Sequence, residues 1–249
     1  MKGQALVATG LVALFFLLTL GASRASATIT SITFTGSGTN PDDPSATLAA
    51  SVTFSITGSA LTVTLSNIGQ ANVVGNSIPP TDVLTAVYFN TPSGTNLTPV
   101  SASFHTTLWN PDGNTIGAEW GYNTGSGAGG FNSGIGSSGL DIFGQGNFGC
   151  GGSCQNVGGF QWGLVPNSYA GQKIGGKTTP TVIGNTGVFN LGINGAPFDL
   201  SQLGSVRFQY GTSNNEANFN GSVPDGGMTL MLLGGALVGL ATLRQRFRA

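Results

Sequence analysis

Charge is what this sequence has least of. Eight Lys or Arg and nine Asp or Glu are spread over 249 residues, 7% in all, against roughly 25% in an ordinary soluble domain. That excludes a nucleic-acid binder, which needs a basic field to displace the counterions on phosphates; the formal net charge here is −1. Histidine occurs once, at His105, so a hydrolase could draw on a single imidazole, and no Gly-x-Ser-x-Gly elbow supplies a nucleophile. Cysteine occurs twice, too few for a disulfide-dense scaffold. The Ala, Glu, Lys, Leu and Arg that build coiled coils and bundles are sparse. Glycine is plentiful, 42 residues, but shows no third-place period, which excludes a collagen-like rod.

What the chain does have is a hydrophobic segment at each end. Residues 1–27 read as a secretory signal peptide. Lys2 supplies the positive region and Ala5 to Leu20 the apolar stretch. Ala25 and Ala27 form the small-x-small cleavage site, so signal peptidase leaves Thr28 as the new N-terminus. Near the other end, Met228 to Leu243 carries no charge and is followed by Arg244, Arg246 and Arg248. As a helix it is about 24 Å long at 1.5 Å per residue, short of the ~30 Å hydrocarbon core but within reach of adaptation by thinning or snorkelling. The terminal arginines belong on the cytoplasmic side, which leaves residues 28 onward outside.

Val223-Pro224-Asp225-Gly226-Gly227 stands immediately before that helix. Short motif, apolar helix and basic tail, in this order, resemble the PEP-CTERM class of bacterial C-terminal sorting signals in its Val-Pro-Asp variant. The resemblance covers Val223 to Ala249. It implies tethering in the inner membrane of a Gram-negative bacterium until exosortase, a membrane cysteine transpeptidase, cuts near the motif. It also implies final display at the cell surface or in the matrix, in association with exopolysaccharide. Val206 to Ser213, and the region from Pro41-Asp42-Asp43-Pro44 to Ile56, also resemble exosortase-dependent surface proteins. That likeness implies a surface module and supplies no catalytic residues.

The body between the signals, residues 28–222, reads as β. Leu48, Ala50, Val52, Phe54 and Ile56 alternate with Thr, Ser and Ala over Thr47 to Thr57, the period of a half-buried strand. Gly58-Ser59 breaks the run and Leu61, Val63 and Leu65 resume it, which predicts a hairpin. Further strands are expected at Ile29 to Thr35, Val83 to Phe89, Val188 to Ile193, and around Val100-Ala102-Phe104 and Val206-Phe208-Tyr210. Shorter ones are expected at Ile116 to Trp120 and Phe160 to Val165. Many short strands with polar outer faces predict an all-β chain, an antiparallel β-sandwich or jelly-roll-like body, flanked by the signal helix and the C-terminal hydrophobic helix. Residues 121–160, with 15 glycines, read as a glycine-rich excursion pinned by Phe131, Ile135, Leu140, Ile142, Phe143 and Phe148.

Candidate chemistry is thin. Cys150 and Cys154 suit a structural disulfide in an oxidising compartment, worth about 2 kcal/mol by loop entropy before strain. Asp42-Asp43 between two prolines could ligate calcium with loop carbonyls, but fits an Asx-type turn better. Two Gly-x-Gly-x-x-Gly matches, at Gly125 and Gly134, lie between no strand and helix and are chance products of the glycine tract. Glu119, Asp141 and Glu216 could form the carboxylate pair of a secreted hydrolase, although scattered acids are more often solvated. Trp109, Trp120 and Trp162, with Tyr122, fall near loops and could stack on sugar faces, which makes a carbohydrate-binding module the alternative to pure display. No cofactor and no catalytic residue follow from any of this. Without both signals the bases are Lys173, Lys177 and Arg207 against eight acids, a body of about −5 with no basic patch.

Overall fold

A computed structural model describes residues 30–104, 116–125, 128–137, 143–149, 160–178 and 180–224. Twelve strands account for its regular structure: β1 Ser31–Thr39, β2 Thr47–Thr57, β3 Ala60–Asn67, β4 Ser77–Ile78, β5 Leu84–Phe89, β6 Thr95–Phe104, β7 Trp120–Thr124, β8 Ser133–Ser137, β9 Lys173–Ile174, β10 Thr186–Gly195, β11 Val206–Tyr210 and β12 Asn218–Gly221. The helical content of the described residues is four short 3-10 turns, among them Pro80–Asp82. None is long and apolar enough to cross a membrane. The stretches Ala5 to Leu20 and Met228 to Leu243 lie outside the described residues.

The chain is all-β. One antiparallel five-stranded sheet has the order β1-β2-β3-β10-β6 and a second has the order β12-β11-β5-β8-β7; β4 and β9 form a small parallel pair beside them. The alternation in β2 and β3 does what its period requires. Leu48, Ala50, Val52 and Phe54, then Leu61, Val63 and Leu65, are all buried, while the Thr and Ser between them stay half-buried on the outer face. Thr57 pairs with Ala60 across Gly58-Ser59, and Gly58 has φ +60°. A two-residue turn with positive φ at its first central position favours glycine there. The second sheet contributes Leu84, Val87, Phe89, Trp120, Ile135, Val206, Phe208 and Tyr210 to the same core. Phe54 meets Phe89 edge-on across the interior at 5.1 Å between centroids, and Trp120 meets Phe189 at 4.9 Å. Each such side chain contributes about 1.5–3 kcal/mol by leaving water.

Several expectations need correction. Val100 does not face inward with Ala102 and Phe104: Asn190 pairs with Ser101 but Leu191 pairs with Pro99, so Val100 is the extra residue of a β-bulge and is exposed. The bulge lets Leu97 and Ala102, five apart, face one core. Phe160 to Val165 is a turn rather than a strand, with Gly163 donating to the Phe160 carbonyl and only Leu164 making bridges, to Leu84 and Ile183. Ile116–Ala118 is a 3-10 turn, and the strand starts at Trp120.

The glycine-rich stretch is, in its first part, not an excursion. β7 and β8 are strands of the second sheet. Their glycines make room for a ring: a Cβ on Gly136 would stand 2.5 Å from the Phe143 ring, and Phe143 stacks on Tyr88 at 5.8 Å. These two, with Ala86 and Phe131, form a small cluster apart from the main core. Asn147 then closes the β7 edge. Its side-chain amide imitates a peptide, accepting from the Tyr122 N–H at 2.9 Å and donating to the Tyr122 carbonyl at 2.8 Å.

Candidate functional site

The tryptophans are core, not ligand platforms. Trp120 and Trp162 are both fully buried, and Trp120 Nε1 donates to the Trp162 carbonyl at 3.0 Å. A sugar would have to open the core to reach either ring, so stacking at these two positions is overturned. Tyr122 is buried as well and lies parallel to Phe89. Trp109 lies outside the described residues. So do His105, Leu140, Asp141, Ile142, Cys150, Cys154, Ala25, Ala27, Asp225, Gly226, Gly227, Arg244, Arg246 and Arg248. Of the sorting motif, Val223 and Pro224 are described, and both are exposed.

The carboxylates named for a hydrolase are differently employed. Glu119 is buried. Glu216 organises the turn between β11 and β12, accepting from the Thr212 N–H, from the Thr212 hydroxyl at 2.9 Å and from the Ser213 N–H at 3.1 Å. Asp42 and Asp43 sit in an Asx-turn segment. Asn40 Oδ1 accepts from the Asp42 N–H at 3.0 Å, and Asp43 Oδ1 accepts from the Ser45 N–H at 3.2 Å and from Asn72 Nδ2 at 3.1 Å. Among the described residues no three His, Cys, Asp or Glu side chains stand close enough to share a metal ion.

Behind that turn lies a buried polar network that reading the sequence missed. Asp82, 1% exposed, follows Pro79-Pro80-Thr81, and its Oδ1 accepts from Asn40 Nδ2 at 2.7 Å; Asn40 also donates to the Thr81 hydroxyl. Asp82 Oδ2 has no hydrogen-bond partner. Burial pushes this carboxyl up to about 6, helped by the charge of Asp43 and opposed by Asn40 and the Asn72 backbone. Next to it, Asn67 donates to the Asp82 and Leu164 carbonyls at 3.0 and 2.9 Å and accepts from the Gly69 N–H. The Tyr210 hydroxyl donates to the Ala49 carbonyl at 2.9 Å, with Asn67 Oδ1 at 3.3 Å. Its burial, reinforced by Asp82, holds the phenol well above its ordinary range. One signal was available: Asn67 occupies the inward position that Leu61, Val63 and Leu65 set up.

Two open clefts flank this end of the body. One of about 460 Å³ is lined by Asp42, Asp43, Asn72, Ser77 and Pro80, the other of about 630 Å³ by Thr39, Asp42, Asn215, Glu216 and Asn218. Their carboxylates are committed to turns or point to solvent. What this geometry offers is a rigid, polar surface. Compared against protein-family models, curated proteins and solved structures, the chain matches none.

Proposed function

We propose that this chain is a non-enzymatic, exported surface or extracellular-matrix protein whose jelly-roll-like body is displayed after processing at both ends. Signal peptidase cuts after Ala27. The C-terminal helix holds the protein in the inner membrane, and exosortase acts near Val223-Pro224-Asp225. The final location is the cell surface or matrix of a Gram-negative bacterium, beside its exopolysaccharide. One observation carries the reading. The last backbone pair of the body joins Thr35 and Ser222 through two reciprocal hydrogen bonds of 2.9 Å, and the very next residues, exposed Val223 and Pro224, open the motif–helix–arginine series. A processing site needs an accessible, extended backbone, and this one begins one residue beyond the fold.

Cell fractionation tests it. Removing residues 223–249 leaves every strand intact and releases the protein from the membrane fraction into the periplasm or medium. A truncated chain that still fractionates with the membrane overturns the sorting role.

A further inference from the structure

None of the five strands of the β1-β2-β3-β10-β6 sheet contains an Asp, Glu, Lys or Arg. Soluble proteins ordinarily place charge on such a face, for solubility and to blunt sheet edges. Apart from Ala49, Val100 and Val188, the outward side chains of the sheet's central part are hydroxyls and amides in register. Thr33 stands beside Thr53 and Thr53 beside Thr64; in the next row Thr62 faces Asn190 and Asn190 faces Ser101. They are linked across the strands. The Thr33 and Thr53 hydroxyls are 2.8 Å apart, Thr62 donates to Asn190 Oδ1 at 2.9 Å, and Asn190 Nδ2 donates to the Ser101 hydroxyl at 3.1 Å. Each link holds a side chain in place before any ligand arrives, which lowers the ordering cost of binding. Each hydroxyl still keeps bonding capacity for a partner. Strand geometry repeats these groups about every 4.8 Å across the sheet and about every 6.8 Å along it.

We infer that this face is a docking surface for a neutral polysaccharide, gripped by rows of linked hydroxyl and amide groups rather than by aromatic rings. Charge selects the partner. A nucleic acid or an anionic membrane needs cations, and the face has none. A protein partner would find no opposite charge for its own charged side chains and no aromatic or arginine anchor. An uncharged polyhydroxyl chain pays neither penalty and matches donors with acceptors over a long, repetitive contact. Individual contacts are weak, and the polymer supplies many of them. The inference deepens the display reading by naming a partner, and rests on it only for access to glycan outside the cell.

Affinity electrophoresis of the purified full-length protein in nonionic detergent tests it, with gels containing a neutral glucan (dextran or hydroxyethylcellulose) or anionic alginate. The expected result is retardation by a neutral glucan that high salt leaves unchanged, because no charge is screened. Combining Thr53→Val, Thr62→Val and Thr64→Val weakens it at least about tenfold, each lost hydroxyl contributing roughly a factor of 2–10. Valine keeps β-propensity and shape, and the single Thr62→Val variant serves if the triple one does not fold. Absence of retardation by both glucans, retardation by alginate alone, or valine variants that migrate as the parent does would each overturn the inference. So would glycan-independent self-association abolished by the same substitutions, which makes the face a contact between copies. Membrane retention of the parent is unaffected in every case, so this inference and the sorting role fail separately.

Discussion

Replacing Asp82 by Asn should make this protein more stable at neutral pH, not less. The side chain is buried, one carboxylate oxygen is bonded to Asn40 and the other to nothing. Asparagine keeps the acceptor that Asn40 uses and removes the buried charge. In the parent, burial lifts the carboxyl from its ordinary 3.8 to about 6. The folded state therefore binds more protons than the unfolded one between about pH 4 and pH 6. Stability from this group is full below that window, falls as pH rises through it and is flat above it. A rise from 3.8 to about 6 sets a ceiling of about 3 kcal/mol on the penalty. The amide that asparagine puts in place of the unpartnered Oδ2 takes back about half of this, since a buried donor without a partner costs about 1–3 kcal/mol. The variant should thus gain about 1.5 kcal/mol at pH 7, a rise of about 3–6 °C in Tm for a body of this size. Thermal melts of parent and Asp82→Asn at pH 4, 5, 6, 7 and 8 measure this directly. Two outcomes refute the reasoning: a variant less stable at pH 7, or one that keeps the parent's decline between pH 4 and 6.

Asn67→Leu tests the same region from the other side. It strips the partner from the Asp82 and Leu164 carbonyls and from the Gly69 N–H, and should cost about 2–4 kcal/mol in denaturant melts despite the gain in hydrophobicity. Gly136→Ala places a methyl against the Phe143 ring and 2.9 Å from the Ala86 Cβ. It should cost about 1–3 kcal/mol through overpacking, whereas Gly58→Ala, at φ +60° with nothing within 4 Å of the added Cβ, should cost about 1–2 kcal/mol through backbone strain alone.

The sequence pattern revealed the fold wherever one face of a strand is polar. Leu48 to Phe54 and Leu61 to Leu65 are placed by period two alone, because Thr and Ser mark the outer face between them. The pattern fails where local geometry intervenes. Val100 shares the parity of Ala102 and Phe104, and only its partner strand shows that it is a bulge. Phe160 to Val165 has the composition of a strand, but Trp162 adopts φ +59°, which turns the chain. β7 and β8 were hidden because glycine carries no hydrophobic signal, although the missing side chains are what admit Phe143. Trp120 and Trp162 read as loop aromatics because sequence distance to a turn says nothing about depth. The Asp82 network was hidden for a related reason: acids in proline-rich turns are usually wet, and its burial depends on Asn40 and Asn67, brought in from two other elements.

The pairing of Thr35 with Ser222 also brings the two ends of the described body together. β1 runs outward from Ser31 to Thr39, and β12 returns beside it: Phe219 lies over Gly38 and Asn220 over Gly36. The chain therefore enters at residue 30 and leaves at residue 224 from one pole. The Asn40 to Asp43 turn and the Glu216 turn crown the opposite pole. Under the sorting role proposed above, the acidic turns stand at the pole opposite the tether, and the uncharged sheet faces sideways between the two.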